Sequence, residues 1–302
     1  FRIGLLPGFD ESVRKFIAAT MREFGWVEGR DFIFVYSELE FRSDQIEADV
    51  RRMVAANPDL ILTPNHMYAV PAQKLTTTIP IVMWTDGDPV AAGVANSLAR
   101  PGKNVTGMSV FAGRGVFGKL VELLRDAKPS VKRIGVVWDY VPPVVSREEM
   151  EPYVQEMKHA ARVYRIALHI AEVPHPDRVS AALAQIEAAR PQALISTSGP
   201  GVFVRYQRIA QFAVDKRLPL IVDFPWVPTD PYPMLVYAPS STELMHTAVS
   251  YVDRILGKGE KPGGLPIQQP TKFELVVNLK TAKAISLTIP QLLLLRADVV
   301  ME

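Results

Sequence analysis

The stretch Pro80–Phe111, PIVMWTDGDPVAAGVANSLARPGKNVTGMSVF, decides the fold of this chain. It begins with the apolar run Ile81–Trp84, breaks into polar and turn-forming residues, and ends with a second apolar run, Val105–Val110. Short apolar runs bounded by Gly, Pro, Asp and Asn are typical of fully buried strands, and the polar clusters then form the loops at the strand ends. Because ligands bind beyond the carboxyl ends of strands in open parallel sheets, the loops that follow such runs are candidate binding loops.

Outward from this stretch, strand-like and helix-like segments alternate along the first half of the chain. Strands are predicted at residues 1–6, 31–37 and 60–63. Three helices are predicted: one at residues 11–24, one that begins after an N-cap at Ser43, and one at residues 68–75. Strands that alternate with helices favour a parallel sheet covered on both faces.

The second half of the chain repeats this plan. Three segments recur in the same order: residues 2–6 as 133–137, residues 58–63 as 191–196, and residues 80–83 as 219–222. One short match would be weak evidence, but three in order predict two similar α/β lobes. Capping boxes at Ser146…Glu149 and Ser240…Glu243 predict two helix starts, and the glycine-rich loop Gly257–Gly264 is typical of a solvated turn.

Composition excludes several classes of function. The chain has 302 residues, enough for two domains, and a net charge of +2 without a basic run, which argues against a nucleic-acid partner. It contains no cysteine, so catalytic thiols, thiolate metal sites and disulfides are excluded. No apolar segment approaches the roughly 20 residues that span a bilayer. Because the first residues already form a predicted strand, the chain is either cytoplasmic or has lost a signal peptide.

Catalytic signatures are missing from the sequence. It has no GxGxxG after a strand, no GxxxxGK[ST] and no HExxH, so the dinucleotide, nucleotide and zinc interpretations lose their usual basis. Among the five histidines only His66 falls on a predicted strand-end loop. A carboxylate pair such as Asp86 and Asp88 is able to do acid–base work, but nothing else in the sequence supports that role. We therefore predict no catalytic residue, no metal site and no cofactor.

Polar and aromatic residues concentrate on the strand-end loops, although aromatic residues make up only 9% of the chain. If the two lobes face each other, these loops meet and offer flat rings with a few polar anchors, which suits a small aromatic or amphipathic ligand. Helix-start N–H groups would bind a carboxylate, and Asp88 or Asp223 would hold an ammonium. The alternative is that the rings cap the two cores and that each Asp is a turn or cap residue. The predicted binding residues are Phe9, Asp10, Thr63, Asn65, His66, Trp84, Asp86, Asp88, Phe111, Trp138, Tyr140, Ser196, Ser198, Gly199, Asp223 and Phe224.

Three long motifs carry a resemblance to a known family. Gly87–Val90 with Leu98–Gly107 (LARPGKNVTG), the tail Gln269–Ala284 (QPTKFELVVNLKTAKA) and Gly25–Arg30 (GWVEGR) are similar to the tryptophan/tyrosine-type family of ABC-transporter substrate-binding proteins. The resemblance covers essentially the whole chain, and its motifs are specific.

The resemblance implies a type I periplasmic-binding fold, in which two Rossmann-like α/β lobes with parallel sheets are joined by three hinge crossings and close on a ligand. Residues 1–109 with 239–268 would form the N-terminal lobe, and residues 110–238 with 269–302 the C-terminal lobe, with the ligand cleft between them. It also implies a periplasmic protein whose signal peptide has been removed, an ABC permease of the inner membrane as partner, and a monomeric state.

The sequence departs from the family at two places. Relatives that resemble amino-acid binders carry an acidic or amide residue in the loop after residues 194–196, where this chain has Ser198-Gly199-Pro200-Gly201. This difference favours an aromatic or other organic acid over a free amino acid. Trp84 and Trp138 are also bulkier than the usual residues at their positions, which would shrink or flatten the pocket.

The sequence therefore predicts an extracytoplasmic solute-binding protein of an ABC importer that traps an aromatic amino acid or an aromatic acid. A two-lobed enzyme of the glycosyltransferase type is one alternative, although the sequence offers neither a nucleotide motif nor a base. The ligand-sensing domain of a receptor or repressor is another, because it shares the lobed fold.

Overall fold

Two sheets with helices packed around them make up the computed structural model of this chain, which describes residues 1–36, 44–85, 88–90, 92–109, 115–139, 147–197, 199, 202, 205–224 and 231–302. Packing contacts divide the chain into unit 1, Phe1–Phe111 with Ser241–Thr271, and unit 2, Ala112–Ser240 with Lys272–Glu302. The chain therefore passes from one unit to the other three times. The domain limits predicted from the sequence stay a prediction.

Unit 1 contains a five-stranded parallel sheet in the order β2-β1-β3-β4-β5. Its strands are β1 (Arg2–Leu5), β2 (Ile33–Tyr36), β3 (Leu60–Thr63), β4 (Ile81–Thr85) and β5 (Val105–Ser109). Helices α1 (Glu11–Glu23), α2 (Ile46–Ala55) and α3 (His66–Leu75) connect them, and α8 (Ser241–Val252) belongs to the same unit. Strand β3 inside the sheet and strand β5 at its edge are both buried along their whole length, as continuous apolar runs predict for a sheet covered on both faces.

Unit 2 contains a seven-stranded sheet in the order β12-β11-β10-β9-β8-β6-β7, in which only β10 and β11 pair antiparallel. Its strands are β6 (Arg133–Asp139), β7 (Ala167–Val173), β8 (Ala193–Ser196), β9 (Leu220–Val222), β10 (Leu235–Pro239), β11 (Phe273–Asn278) and β12 (Val299–Met301). Its described helices are α4 (Val116–Ala127), α5 (Arg147–Val163), α6 (Val179–Ala188), α7 (Tyr206–Asp215), α9 (Leu279–Ala284) and α10 (Gln291–Leu294).

The duplication seen in the sequence is present in the topology. Strands β1 to β5 of unit 1 correspond in order and direction to strands β6 to β10 of unit 2, because each sheet places its first strand between its second and third. The three repeated segments fall on β1 and β6, on β3 and β8, and on β4 and β9. The predicted fold class of two α/β units with mostly parallel sheets is confirmed.

The structure corrects several predicted boundaries. Helix α2 begins at Ile46 rather than directly after Ser43, its N-cap Gln45 makes no side-chain cap, and Ser43 lies outside the described residues. Strand β2 begins at Ile33 rather than at Asp31, which accepts the backbone N–H of Val27 in a turn, and Ser37 lies outside the described residues. The glycine-rich segment after α8 is also more ordered than a solvated turn, with a π-helical turn at Asp253–Gly257 and a 3₁₀ turn at Pro262–Gly264.

None of the helices in the described part of the chain combines the length and the apolar character needed to cross a membrane.

Candidate functional site

In unit 1, seven of the predicted binding residues lie at one edge of the sheet. Strands β1, β3 and β4 are neighbours and run parallel, so the segments that follow them leave the sheet at the same, carboxyl edge. We call this the unit 1 carboxyl edge; it carries Phe9, Asp10, Thr63, Asn65, His66, Trp84 and Asp88.

Two of these residues form an aromatic pair. The ring centroids of Phe9 and Trp84 lie 5.5 Å apart with an angle of 34° between the ring planes, which is a favourable offset arrangement. Only 7% of Phe9 and 6% of Trp84 is exposed, so both rings are packed against the protein and only a small part of each is open at this edge. The turn before Phe9 requires glycine at position 8, because φ of Gly8 is +118° and a Cβ there would lie 2.9 Å from Pro64 Cγ.

Beside the ring pair, the start of α3 is held by a local network. The Thr63 hydroxyl donates to the Asn65 carbonyl at 2.6 Å, and Asn65 caps α3 by accepting the Tyr68 N–H at 3.3 Å. His66, the first helical residue, is only 3% exposed. Burial, together with the nearby carboxylate of Asp49, raises the pKa of Tyr68, so its phenol stays protonated and ties α3 to α2. Buried polar groups at a helix start are suited to a carboxylate or hydroxyl of a ligand.

The two described aspartates of this edge have local structural roles. Asp10 is exposed and caps α1, accepting the Val13 N–H at 2.9 Å and the Ser12 hydroxyl at 2.6 Å. Asp88 is also exposed, and its Oδ1 accepts the Val90 N–H at 2.8 Å within a turn. Both contacts favour the interpretation of these residues as cap and turn residues.

The corresponding edge of unit 2 is more polar. Strands β6, β8 and β9 are parallel neighbours, and the residues at their carboxyl ends include Ser196, Gly199, Asp223 and Phe224. We call this the unit 2 carboxyl edge. Ser196 is completely buried, and no described residue hydrogen-bonds with its hydroxyl. A buried hydroxyl of this kind is a candidate contact for a polar ligand atom.

The ring of Trp138, a predicted binding residue at the end of β6, is buried in unit 2. It is 1% exposed and packs in the core of unit 2 against Phe117, with ring centroids 5.5 Å apart. Ile134 and Val136 lie in the same core cluster, so Trp138 continues the alternation of β6 toward that face. This placement favours the alternative in which the ring belongs to the core.

Asp139, which the sequence analysis did not select, is the buried carboxylate of the unit 2 carboxyl edge. It is 2% exposed, and its Oδ2 accepts the Val202 N–H at 2.7 Å. Gly199 packs directly against it, since a Cβ on Gly199 would lie 2.5 Å from the same oxygen. The signal in the sequence was a carboxylate placed directly after an apolar run, at the end of a strand that is buried on both faces.

Phe224 is 7% exposed and meets Tyr206 edge to face, with centroids 5.7 Å apart and perpendicular planes. Burial, and secondly Tyr232, raises the pKa of Tyr206, whose hydroxyl donates to the Pro231 carbonyl at 3.3 Å. Asp223, before this ring, is half-buried.

Four predicted binding residues, Asp86, Phe111, Tyr140 and Ser198, lie outside the described residues. Among the residues that the structure does describe, no group of three or more His, Asp or Glu side chains is placed to hold a metal ion.

The family profile described as ABC transporter substrate binding protein matches residues 7–301 of this chain. A protein of Clostridioides difficile (strain R20291) named tyrosine-binding protein is 29% identical over 133 residues, which cover 44% of this chain and 37% of that protein. The match thus spans well under half of the relative's length.

Solved structures share the fold along almost the whole chain. A conserved domain protein from Vibrio cholerae has a TM-score of 0.81 at 24% identity, covering 99% of this chain and 98% of the other. An ABC domain in complex with L-Trp from Streptococcus pneumoniae has a TM-score of 0.79 at 20% identity, covering 99% of both chains. A ligand-free, open substrate-binding protein with adhesive properties from Clostridium difficile has a TM-score of 0.67 at 20% identity, also covering 99% of both. At these identities the likeness shows the fold.

Proposed function

This chain belongs to the ABC transporter substrate-binding protein family, and from that premise we propose that it binds a small aromatic ligand that bears a carboxylate. The proposed ligand is an aromatic amino acid or an aromatic acid. The family consists of proteins that bind a substrate for a transporter, and we propose no catalytic role for any residue.

The observation that carries this proposal is the Phe9–Trp84 pair beside the buried start of α3. The two rings lie at the edge where parallel sheets bind ligands, and Thr63 and His66 supply buried polar groups at the same edge. The relative named for tyrosine and the structural neighbour bound to L-Trp agree with this ligand class.

We assign the polar contacts of the ligand to the unit 2 carboxyl edge. Ser196 supplies a buried hydroxyl, and Asp139 supplies a buried carboxylate of the kind that pairs with an ammonium. This assignment requires one ligand to contact residues of both units. It uses the lobe boundaries that the sequence predicts. It also restores a free amino acid as a candidate, since Asp139 replaces the acidic residue that the loop around Gly199 lacks.

In this proposal the chain works outside the cytoplasm as a monomer, delivers its ligand to an ABC permease in the inner membrane, and has no nucleic-acid partner. The extracytoplasmic setting follows the family, while the periplasm and the removed signal peptide are part of the proposal.

Isothermal titration calorimetry with matched ligand pairs tests the function. L-tyrosine, L-tryptophan and L-phenylalanine are each compared with the acid that lacks the amino group, and glucose and UMP serve as controls. We expect binding of at least one aromatic ligand and no heat with glucose or UMP. Preference for the amino acid in a pair assigns the ammonium to a carboxylate such as Asp139, and preference for the deaminated acid excludes that contact. Binding of glucose or UMP alone contradicts the proposal.

Two single substitutions locate the ligand. Trp84→Ala removes half of the ring pair, and we expect affinity to fall about tenfold or more. Trp26→Ala is the matched control, because Trp26 lies elsewhere in unit 1, where it packs on Phe1 and donates to Asp253. Equal affinity in the two variants would contradict the role of the ring pair.

A further inference from the structure

A cavity lies in unit 1, at the opposite edge of the sheet from Phe9 and Trp84. Its walls are the last turn of α3, the segments that precede β4 and β5, and the turn Lys261–Gly264. Since α3 starts at the carboxyl edge, its end and the amino ends of β4 and β5 mark the amino edge. The cavity volume is 1210 Å³, large enough for a small molecule or a headgroup.

The charge of this cavity has one sign. Lys74, Lys103 and Lys261 line it, all three are exposed, and none of the described lining residues is acidic. The other polar lining side chains are neutral, namely Gln73, Thr77, Thr78 and Asn104. An anion bound in this cavity would therefore be attracted by the positive charges of its lining lysines.

The walls are joined by specific backbone contacts. The Gly102 N–H donates to the Gly263 carbonyl at 3.0 Å, and a Cβ on Gly263 would lie 2.5 Å from the Lys103 carbonyl oxygen. The Lys103 ammonium donates to the Gly93 carbonyl at 2.6 Å, so this lysine is already fixed in the wall. Position 263 therefore needs glycine because the two loops meet there backbone to backbone.

The loop before β4 is fixed by Asn104. Its side-chain amide donates to the carbonyl oxygens of Thr76 at 2.9 Å and Ile79 at 2.8 Å. On the other wall, the Gln73 amide donates to the Val94 carbonyl at 2.7 Å. These contacts hold the lysine-bearing segments in place before any ligand arrives, which lowers the entropy cost of binding.

One electrostatic effect opposes an anion here. The carboxyl end of α3 carries a partial negative charge of about half an elementary charge. The influence of this charge falls off within the last turn of the helix. Lys74 lies in that same turn and offsets it, and Lys103 and Lys261 add two further positive charges. The balance in the cavity is cationic.

We propose that this basic cavity is a phosphate-binding site, separate from the aromatic site. A phosphate group carries the charge and the several acceptor oxygens that lysine ammonium and threonine hydroxyl groups recognise. The segment Leu98–Gly107, which carries much of the sequence resemblance, leads through this wall and not through the carboxyl edge. Free phosphate and the phosphate of an anionic lipid headgroup share this chemistry.

The test uses the whole chain and two double variants. K74Q/K261Q removes two cavity charges and leaves Lys103 in the wall, while K132Q/K158Q removes two exposed charges from unit 2. One arm titrates inorganic phosphate at constant ionic strength, and the other measures cosedimentation with phosphatidylglycerol vesicles, with phosphatidylcholine vesicles as the reference. Affinity for the aromatic ligand is measured in parallel and is expected to be unchanged in both variants.

We expect at least one arm to show binding that K74Q/K261Q weakens about tenfold and that K132Q/K158Q leaves intact. Binding of inorganic phosphate identifies a free anion as the source, and binding only to phosphatidylglycerol vesicles identifies a headgroup. No binding in either arm overturns the proposal, and so does an equal loss in both double variants, which would show a general charge effect.

Discussion

The two carboxyl edges belong to sheets with the same strand order, but the described residues give the two edges different chemistry. In unit 1 the rings of Phe9 and Trp84 reach the edge and pack on each other there. In unit 2 the tryptophan of β6 turns into the core against Phe117, and the described edge carries Asp139 and Ser196 instead. One edge thus carries packed aromatic rings and the other carries buried polar groups.

The largest effect expected from this comparison is on the stability of unit 2. Trp138→Ala removes a fully buried ring from the core, and we expect a loss of about 3–5 kcal/mol in the free energy of unfolding. Denaturant unfolding followed by circular dichroism measures it. A loss below about 1 kcal/mol would show that the Trp138 ring is not a core side chain.

The contact between Gly199 and Asp139 gives the next effect. In Gly199→Ala the new methyl group meets the Asp139 carboxylate, which has to move away from the Val202 N–H. We expect a loss of about 1–3 kcal/mol in stability and a clear loss of ligand affinity. Thermal unfolding and calorimetry check both, and unchanged affinity in a folded Gly199→Ala variant would remove Asp139 from the proposed site.

The ring pair predicts a smaller effect on stability and a specific one on binding. Phe9→Leu keeps an apolar side chain next to Trp84 but removes the ring interaction, which is worth about 0.5–1.5 kcal/mol. We expect the free energy of binding of the aromatic ligand to become less favourable by about the same amount, and calorimetry measures this change. Phe24→Leu, at an exposed ring elsewhere in unit 1, is the matched control and is expected to bind as the parent does.

The smallest effect concerns Asp10, for which we expect a role in stability alone. Partial burial acts to raise the pKa of Asp10, but hydrogen bonds from Ser12 and Val13 hold it below its ordinary value of 3.8. The unfolded chain therefore takes up the proton first as the pH falls. The stabilisation by this cap is complete above the unfolded pKa and is lost as the pH falls through the lower folded pKa.

Asp10→Ala should cost about 1 kcal/mol at neutral pH, as expected for a helix cap, and much less at pH values below the folded pKa. Unfolding measured across this pH range in the parent and the variant checks the difference. A cost that stays constant with pH would contradict the cap, and a loss of ligand affinity in Asp10→Ala would return this residue to the binding site.

The sequence predicted the fold well because buried parallel strands leave a strong apolar signal. The repeated segments at 2–6 and 133–137 already indicated the shared strand order that β1 and β6 show. It could not predict the direction of the Trp138 side chain, because β6 is covered on both faces and apolar residues occupy both. Asp139 was missed because a carboxylate that directly follows an apolar run is also typical of a turn residue.

The basic cavity could not be predicted from the sequence either, but for a different reason. Lys74, Lys103 and Lys261 are far apart along the chain, and a glycine-rich, charged loop is typical of a solvated turn. Tertiary contacts bring these segments together, among them the packing of Gly263 on the backbone of Lys103 and the hydrogen bonds of Gln73 and Asn104.

The central claim, that the ligand contacts the aromatic edge of unit 1, is tested most directly by tryptophan fluorescence of two single-tryptophan proteins. One keeps only Trp84 and the other only Trp138, with the remaining tryptophans replaced by phenylalanine. Each is titrated with the tightest ligand of the calorimetric panel that has no indole ring. We expect the emission of Trp84 to change at saturation and that of Trp138 to stay the same. A change confined to Trp138, or no change in either protein although calorimetry shows binding, would contradict the account.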